Sequence, residues 1–435
     1  MLELAHVREN FDQVRKALES RGLADLDLNN FLLLDQQRRK AITDVEALKA
    51  ERNRANAEIG QLKKEGKDAS AVMEQMKQAA ARTKELDAQA EALDQQLREL
   101  LLRIPNLPHA SVPLGRTPGD NVEVRRWGSP PKFDFAPKAH WDLGAALGLL
   151  DFERASKLAG ARFVVYTGAG ARLERALASF MLDIQTRENG YREVLPPFAV
   201  NAASLVGTGQ LPKFSGDLFR LEGTDFWLSP TAEVQITNLF RDETLDGAKL
   251  PLKLCAWTSN FRSEAGSYGK ETRGIVRQHQ FQKIELVKFA RAEHSYDELE
   301  SLTRDAESIL QKLGLAYRVV ALCTGDLGFS AAKTYDIEVW LPGHNEYKEI
   351  SSCSNFETFQ ARRAGIRCRV AGKKGSEYAH TLNGSGLAVG RTWMAVIENY
   401  QQKDGSVVVP EVLSPYLGGL DRLTPDSSFS LDSYL

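Results

Sequence analysis

The first hundred residues carry apolar side chains at alternating steps of four and three. One series runs Ala41, Val45, Leu48, Arg52, Ala55, Ile59, Leu62, and a second runs Val72, Met76, Ala79, Thr83, Leu86, Ala90, Leu93, Leu97, Leu100, Ile104. This is the a/d seam of a coiled coil, with Arg52 and Thr83 as its polar exceptions. Between the series lies Gly66-Lys67-Asp68-Ala69-Ser70. Gly66 is suited to end one helix in a left-handed conformation, and Ser70 to cap the next. An ordinary dimerising coiled coil would show similar heptads, but the central turn and matched arms favour an antiparallel hairpin within one chain. The second seam alone would span roughly 50 Å at about 1.5 Å per residue, so the hairpin is expected to project into solvent.

The pattern then changes. Pro105, Pro108, Pro113, Pro118, Pro130, Pro131 and Pro137 crowd one short span, a density that breaks helices and marks a connection. The expected division is a helical arm at 1–104, a linker at 105–140, a catalytic domain at 141–423 and a Ser- and Asp-rich polar tail at 424–435. After the linker helices and strands mix, so the fold class is α+β. Leu173–Asn189 reads as an amphipathic helix closed by Gly190, leading into a short strand, Arg192–Leu195. Ser295–Gly314 reads as a helix with a Ser295/Glu298 capping box and Gly314 as its stop. Tyr317–Leu322 and Tyr335–Leu341 read as strands.

Composition excludes more than it identifies. The chain has 435 residues, 26% charged and 43% hydrophobic, ordinary for a globular protein. A net charge of -2 excludes nucleic-acid binding through bulk positive charge alone. In the arm, Lys and Arg about balance Asp and Glu, as on a solvated helical face. Cys255, Cys323, Cys353 and Cys368 form no CxxC pair, so no zinc is expected and the thiols read as reduced and mostly buried. The opening Met-Leu-Glu-Leu-Ala-His lacks a basic region followed by an apolar run, and no apolar stretch approaches the roughly 20 residues that span a bilayer. The expectation is a cytoplasmic protein with no membrane partner. Neither GxGxxG after a strand nor GxxxxGK[ST] is present, so a dinucleotide-binding Rossmann domain and a P-loop are both unsupported.

Two constellations carry candidate chemistry. Asn260–Glu264 and Ile275–Glu285 read as an antiparallel pair around a connection holding Gly266, Gly269 and Gly274 with Lys270, Glu271 and Arg273. Alternation places Arg262 with Glu264, and Arg277, His279, Phe281, Lys283 and Glu285 together. Burying such a face without a ligand is costly, although a solvated, salt-bridged hairpin fits the same pattern. The second constellation, His380–Thr392, precedes an apolar helix at Trp393–Tyr400. It puts Arg391 at a helix N-terminus, where a cation is disfavoured by about 0.3–1 kcal/mol and gains from an anion. A tolerated exposed arginine fits there too.

The string F-R-S-E-A-G-S…T-R-G…R-x-H-Q-F-x-K-x-E resembles motif 2 of class II aminoacyl-tRNA synthetases in its seryl form, and G-L-A-V-G-R resembles motif 3. Ser229-Pro230-Thr231-Ala232-Glu233 is similar to the T-A-E loop that closes over serine. Glu349-Ile350-Ser351-Ser352-Cys353-Ser354-Asn355 is similar to the segment that holds magnesium and ATP. Ile104–Pro108 looks like the family's linker, and the resemblance runs nearly to Leu423. Ser229, Gln278 and Thr358 depart from the usual residues, none of them at an assigned position.

What the resemblance implies is a bacterial-type seryl-tRNA synthetase: a long antiparallel coiled-coil hairpin followed by a catalytic domain on an antiparallel sheet flanked by helices. It implies activation of L-serine by ATP and transfer of serine to tRNA-Ser, and to tRNA-Sec where that exists. It assigns Arg262 to the α-phosphate, Arg391 to the γ-phosphate and Phe281 to adenine. Ser263, Glu264, Arg277, Glu349, Ile350, Ser351 and Ser352 join the ATP site, and Glu349 and Ser352 also hold magnesium. Arg262, Arg391 and Glu264 are the catalytic set. Thr231, Ala232, Glu233, Arg262, Asn383 and Ser385 form the serine pocket, with Glu285 on the ammonium. The resemblance also implies a homodimer, through a motif 1 within Leu173–Pro197, and a tRNA-holding role for the arm. Two rivals are a ligase that loads an amino acid onto a carrier protein, whose relatives lack the arm, and a non-catalytic coiled-coil protein, which would have lost Arg262, Glu285 or Arg391.

Overall fold

A computed structural model describes residues 1–23, 28–265, 273–424 and 431. The expected glycine- and charge-rich connection at Gly266, Gly269, Lys270 and Glu271, and most of the tail, lie outside the described residues. Contacts divide the chain into two compact units, Leu2–Glu19 with Leu23–Pro105, and Met1 with Ser20–Gly22 and Asn106–Leu435.

The first unit holds two short helices, α1 (Leu4–Glu9) and α2 (Phe11–Ser20), and two long ones, α3 (Leu28–Lys64) and α4 (Ser70–Arg103). The heptad residues form the α3–α4 seam. Ala41, Val45, Leu86, Leu93 and Leu97 are buried, and among the predicted positions only Arg52 is exposed. Thr83 is tolerated because its hydroxyl donates to the Ala79 carbonyl at 2.8 Å. Across the seam Lys49 pairs with Asp87 at 3.4 Å, and Arg38 pairs with Asp94. The turn follows expectation at Gly66, which has φ +69°, and the Lys67 N–H reaches back to the Leu62 carbonyl. The cap differs. Asp68, not Ser70, accepts the Ser70 N–H at 2.9 Å, because Ser70 is already the first helical residue and its hydroxyl also bonds Asp68.

The second unit is built on an eight-stranded sheet. Its strands are β1 (Val122–Trp127), β2 (Arg192–Glu193), β3 (Leu252–Phe261), β4 (Gln280–Ala290), β5 (Tyr317–Ala321), β6 (Lys333–Leu341), β7 (Glu346–Asn355) and β8 (His380–Ala388). Their order is β1-β5-β6-β7-β8-β4-β3-β2. Every neighbouring pair is antiparallel except β2 with β3. Helices α5 (His140–Ala146), α6 (Gly168–Arg187), α7 (Glu233–Asn238), α8 (Ser295–Lys312) and α9 (Val389–Asn399) belong to this unit. Leu173, Leu177 and Met181 of α6, Leu302 and Ile309 of α8 and Trp393 of α9 share one core with Leu286, Ile337 and Leu382 of the sheet. Each aliphatic side chain fully buried in this way contributes about 1.5–3 kcal/mol.

Several boundaries moved for identifiable reasons. The proline-rich stretch is more than a connection: its Val122–Trp127 pairs with Tyr317–Ala321 and forms a sheet edge. Asn106 is buried, its amide donating to the Ser330 and Phe356 carbonyls. The return segment expected from Ile275 becomes a strand only at Gln280, since Ile275–His279 bond to loops and side chains instead. The helix expected at Trp393 starts at Val389. The Ser295/Glu298 capping box does not form. Ser295 donates to the Ala292 carbonyl, and Glu298 is drawn off by Lys288 at 2.9 Å. No helix among the described residues is long and apolar enough to cross a membrane.

Candidate active site

Strand β3 ends at Phe261, and Arg262 follows with its N–H on the His279 carbonyl at 2.9 Å. That bond holds the Arg262 and His279 segments together where the ladder stops. The Arg262 guanidinium carbon lies 5.1 Å from the centre of the Phe281 ring, and its Nε donates to the Pro230 carbonyl at 3.3 Å. Protein crowded around it lowers the Arg262 pKa, Glu264 opposing. The side chain is nonetheless open to the cavity, and arginine keeps its charge. It is therefore a cation placed to receive an anion. Arg277 pairs with Glu264 at 3.2 Å.

Arg391 occupies the first turn of α9. Its Nη1 donates to the Glu349 carbonyl at 2.7 Å and lies 3.4 Å from the Glu349 carboxylate. Ser352 stands three residues along β7, opposite Asp336 of β6. Asp336 was not anticipated from the sequence. Burial pushes its pKa well above the carboxylate range, Glu349 adds to this, and a hydrogen bond from Ser352 opposes it. One of its oxygens has no partner among the described residues. The alternation of Lys333–Leu341 puts Asp336 on the polar face, but only strand register reveals that it faces Ser352. The donors Glu349, Ser352 and Asp336 are oxygens, the set that suits magnesium.

The third wall centres on Glu285, which is fully buried in β4. Its carboxylate accepts the Thr231 hydroxyl at 2.8 Å and the Asn383 amide at 3.2 Å, and it pairs with Lys283. Lys283 also donates to the Thr231 hydroxyl at 2.9 Å. Alternation puts Lys283 on this face but assigns it no role. Thr231 stands just before α7, and Glu233 begins that helix. Burial lifts the Glu233 pKa to about 7, with Glu285 adding and the Gln360 amide, 2.5 Å away, opposing.

One cavity of about 720 Å³ joins these walls, within the usual range for a small-molecule site. Arg262, Glu264, Arg277, Phe281, Glu349, Ile350, Ser352 and Arg391 line it together with Thr231, Glu233, Asn383 and Ser385. Glu285 lies behind Thr231, Lys283 and Asn383. Three anticipated residues are turned away. The Ala232 methyl belongs to a core cluster. The Ser263 hydroxyl donates to the Gly216 carbonyl at 2.6 Å, and the Ser351 hydroxyl to the Ser385 carbonyl at 2.6 Å. All four cysteines are free and buried.

An aromatic ring beside arginines suits a nucleotide, oxygen donors suit its metal, and a buried carboxylate ringed by hydroxyl and amide groups suits a small ammonium compound. An antiparallel sheet carrying such a site on motifs 2 and 3 defines a class II aminoacyl-tRNA synthetase. Residues 218–400 match the tRNA synthetase class II core domain (G, H, P, S and T), and residues 1–108 match the seryl-tRNA synthetase N-terminal domain. The serine--tRNA ligase of Solibacter usitatus is 63% identical over 417 residues, covering 96% of this chain and 98% of that protein. That of Carboxydothermus hydrogenoformans is 60% identical over 423 residues, covering 97% and 99%. The seryl-tRNA synthetase of Pyrococcus horikoshii, solved with ATP, superposes with a TM-score of 0.94 at 36% identity, covering 98% of this chain and 100% of that one. The chain belongs to the seryl-tRNA synthetase family.

Proposed function

We propose that the cavity activates L-serine with ATP and that the chain then passes the seryl group to tRNA-Ser. The carrying observation is that Arg262, Phe281 and Arg391 share one cavity with the Thr231–Asn383 wall that fronts the buried Glu285. Phe281 stacks on adenine, and Arg277 with Glu264 borders the nucleoside. Arg262 neutralises the α-phosphate and Arg391 the γ-phosphate. The serine ammonium is held by Glu285, displacing the Lys283 contact. The serine carboxylate attacks the α-phosphate and pyrophosphate leaves, giving seryl-adenylate. Catalysis is then positioning and charge neutralisation by preorganised cations, with little proton transfer.

Glu349 and Ser352, with Asp336 behind them, would hold magnesium, which when bound supplies further charge neutralisation at the phosphates. The side chain of serine is read by polar groups that include Glu233. A site built to bond a hydroxyl leaves its groups unpaired with alanine, which gives discrimination of about 10⁴–10⁵. The presence of Arg262, Glu285 and Arg391 together, and of the heptad arm, favours this reading over a carrier-protein ligase or a non-catalytic protein.

The arm, residues 1–104, grips the tRNA, and the catalytic unit pairs with a second copy through the Leu173–Pro197 region in the cytoplasm. tRNA-Sec is a second substrate wherever it is present. Serine-dependent exchange of pyrophosphate into ATP tests the first step. Charging of tRNA-Ser and tRNA-Sec transcripts tests the second, and sedimentation tests the dimer.

A further inference from the structure

Outside the cavity, a largely buried cluster of titratable groups plays no part in the chemistry above. It comprises His140, His344 and Glu398, whose nitrogen and oxygen atoms lie within 4.8 Å of one another. The spacing would suit a metal, but the hydrogen bonds exclude one. His140 Nε2 accepts the Ile275 N–H at 3.1 Å, so the imidazole proton sits on Nδ1. That nitrogen points at Glu398, 2.8 Å away, and has no lone pair for an ion. Burial also holds the His140 pKa below its ordinary value, Glu398 opposing, which keeps the ring neutral and Nε2 an acceptor.

The cluster joins the three segments that carry the nucleotide residues. Glu398 lies on α9, seven residues beyond Arg391. Its carboxylate accepts the His140 N–H at 3.0 Å and the Gly343 N–H at 2.8 Å, and Gly343 stands in the turn leading to β7, which carries Glu349. His140 then holds Ile275, two residues before Arg277, and the next carbonyl, of Val276, accepts from Arg391 at 3.5 Å. The neighbouring contacts fix the same spot. Gly274 has φ +76°, and a Cβ there would come within 2.2 Å of His140 Nε2. Arg273 lies over the Trp141 ring at 5.1 Å and pairs with Asp142 at 2.9 Å.

We infer that His140, oriented by Glu398, is a positioning residue of the ATP site: its Nε2 lone pair sets the backbone at Ile275 and so the placement of Arg277 and of the Val276 carbonyl beneath Arg391. The inference rests on the proposed ATP site, and serine-dependent pyrophosphate exchange by the unaltered full chain is measured first. Its absence overturns the ATP-site reading itself.

Two near-isosteric variants separate positioning from packing. His140→Asn keeps a donor for Glu398 and loses the acceptor for Ile275, whereas His140→Gln extends an acceptor toward Ile275 and loses the donor. Losing one buried hydrogen bond corresponds to about a tenfold change, so His140→Asn is expected to raise the KM for ATP about tenfold while the KM for serine holds. His140→Gln is expected to restore most of the ATP affinity. An unchanged ATP KM in His140→Asn, equal ATP KM values in the two variants, or equal rises for ATP and serine would overturn the inference. Should His140→Asn not fold, ¹⁵N-histidine spectra of the unaltered protein carry the test, with the His140 signals identified by their loss in His140→Gln. The Nδ1–H tautomer supports the inference and the Nε2–H tautomer overturns it.

Discussion

The Thr231 hydroxyl donates to the Glu285 carboxylate at 2.8 Å, deep enough that no surface of Glu285 meets solvent. A carboxylate so enclosed is stable only when its oxygens are filled, here by Thr231, Asn383 and Lys283. Glu285→Gln keeps the shape and removes the charge. Losing a charge-assisted bond costs about 1.5–3 kcal/mol, so the KM for serine is expected to rise about 10- to 150-fold. The KM for ATP should hold. Exchange kinetics with each substrate varied in turn check this, and a rise confined to ATP would refute the assignment.

Arg391 is expected to matter to rate more than to folding. Its guanidinium is partly exposed and, among the described residues, bonds to the Glu349 and Val276 carbonyls and the Glu349 carboxylate. Arg391→Ala should lower kcat for exchange by about 10²–10³ with little change in melting temperature. A loss of activity that tracked unfolding would assign Arg391 a structural role instead.

Much of this was legible in the sequence, unevenly. The heptads from Ala41 to Ile104 name the α3–α4 seam because a coiled coil repeats one local rule. Arg262, Phe281 and Arg391 were legible as candidates because their strings are distinctive, and they do line one cavity. Asp336 was not, since its place opposite Ser352 depends on the register of β6 with β7. His140 was not, because its partners Ile275 and Glu398 are 135 and 258 residues away. Val122–Trp127 was hidden among prolines. An edge strand tolerates such surroundings because only one side must pair.

Residues Leu23–Pro105, which contain the two long helices, belong with Leu2–Glu19 to a compact unit of their own. Replacing Leu32–Arg103 with a short Gly/Ser joiner is expected to leave serine-dependent exchange near the parent rate and to abolish tRNA charging. Charging assayed beside exchange on the same preparation decides it. Normal charging by the shortened chain would remove the arm from tRNA recognition.

Glu174, buried in α6 with one oxygen lacking a partner among the described residues, makes stability fall as pH rises. Burial lifts its pKa to about 8. The folded state thus keeps a proton that the unfolded chain releases above its ordinary carboxylate pKa, about 4.3. Between those values its contribution declines by up to about 1.4 kcal/mol per pH unit. Glu174→Gln mimics the protonated form, so its melting temperature relative to the parent should rise from pH 5 to pH 8. A gap that stayed constant or narrowed would show that Glu174 is ionised in the fold.

The central claim is that the cavity joining Arg262, Phe281 and Arg391 with the Glu285 pocket activates serine and no other amino acid. Pyrophosphate exchange into ATP, run with magnesium and each amino acid in turn, measures it most directly. Exchange that depends on serine, with alanine, glycine and threonine near background, is the predicted result. Exchange with alanine or glycine but not serine, or with none, would contradict the account.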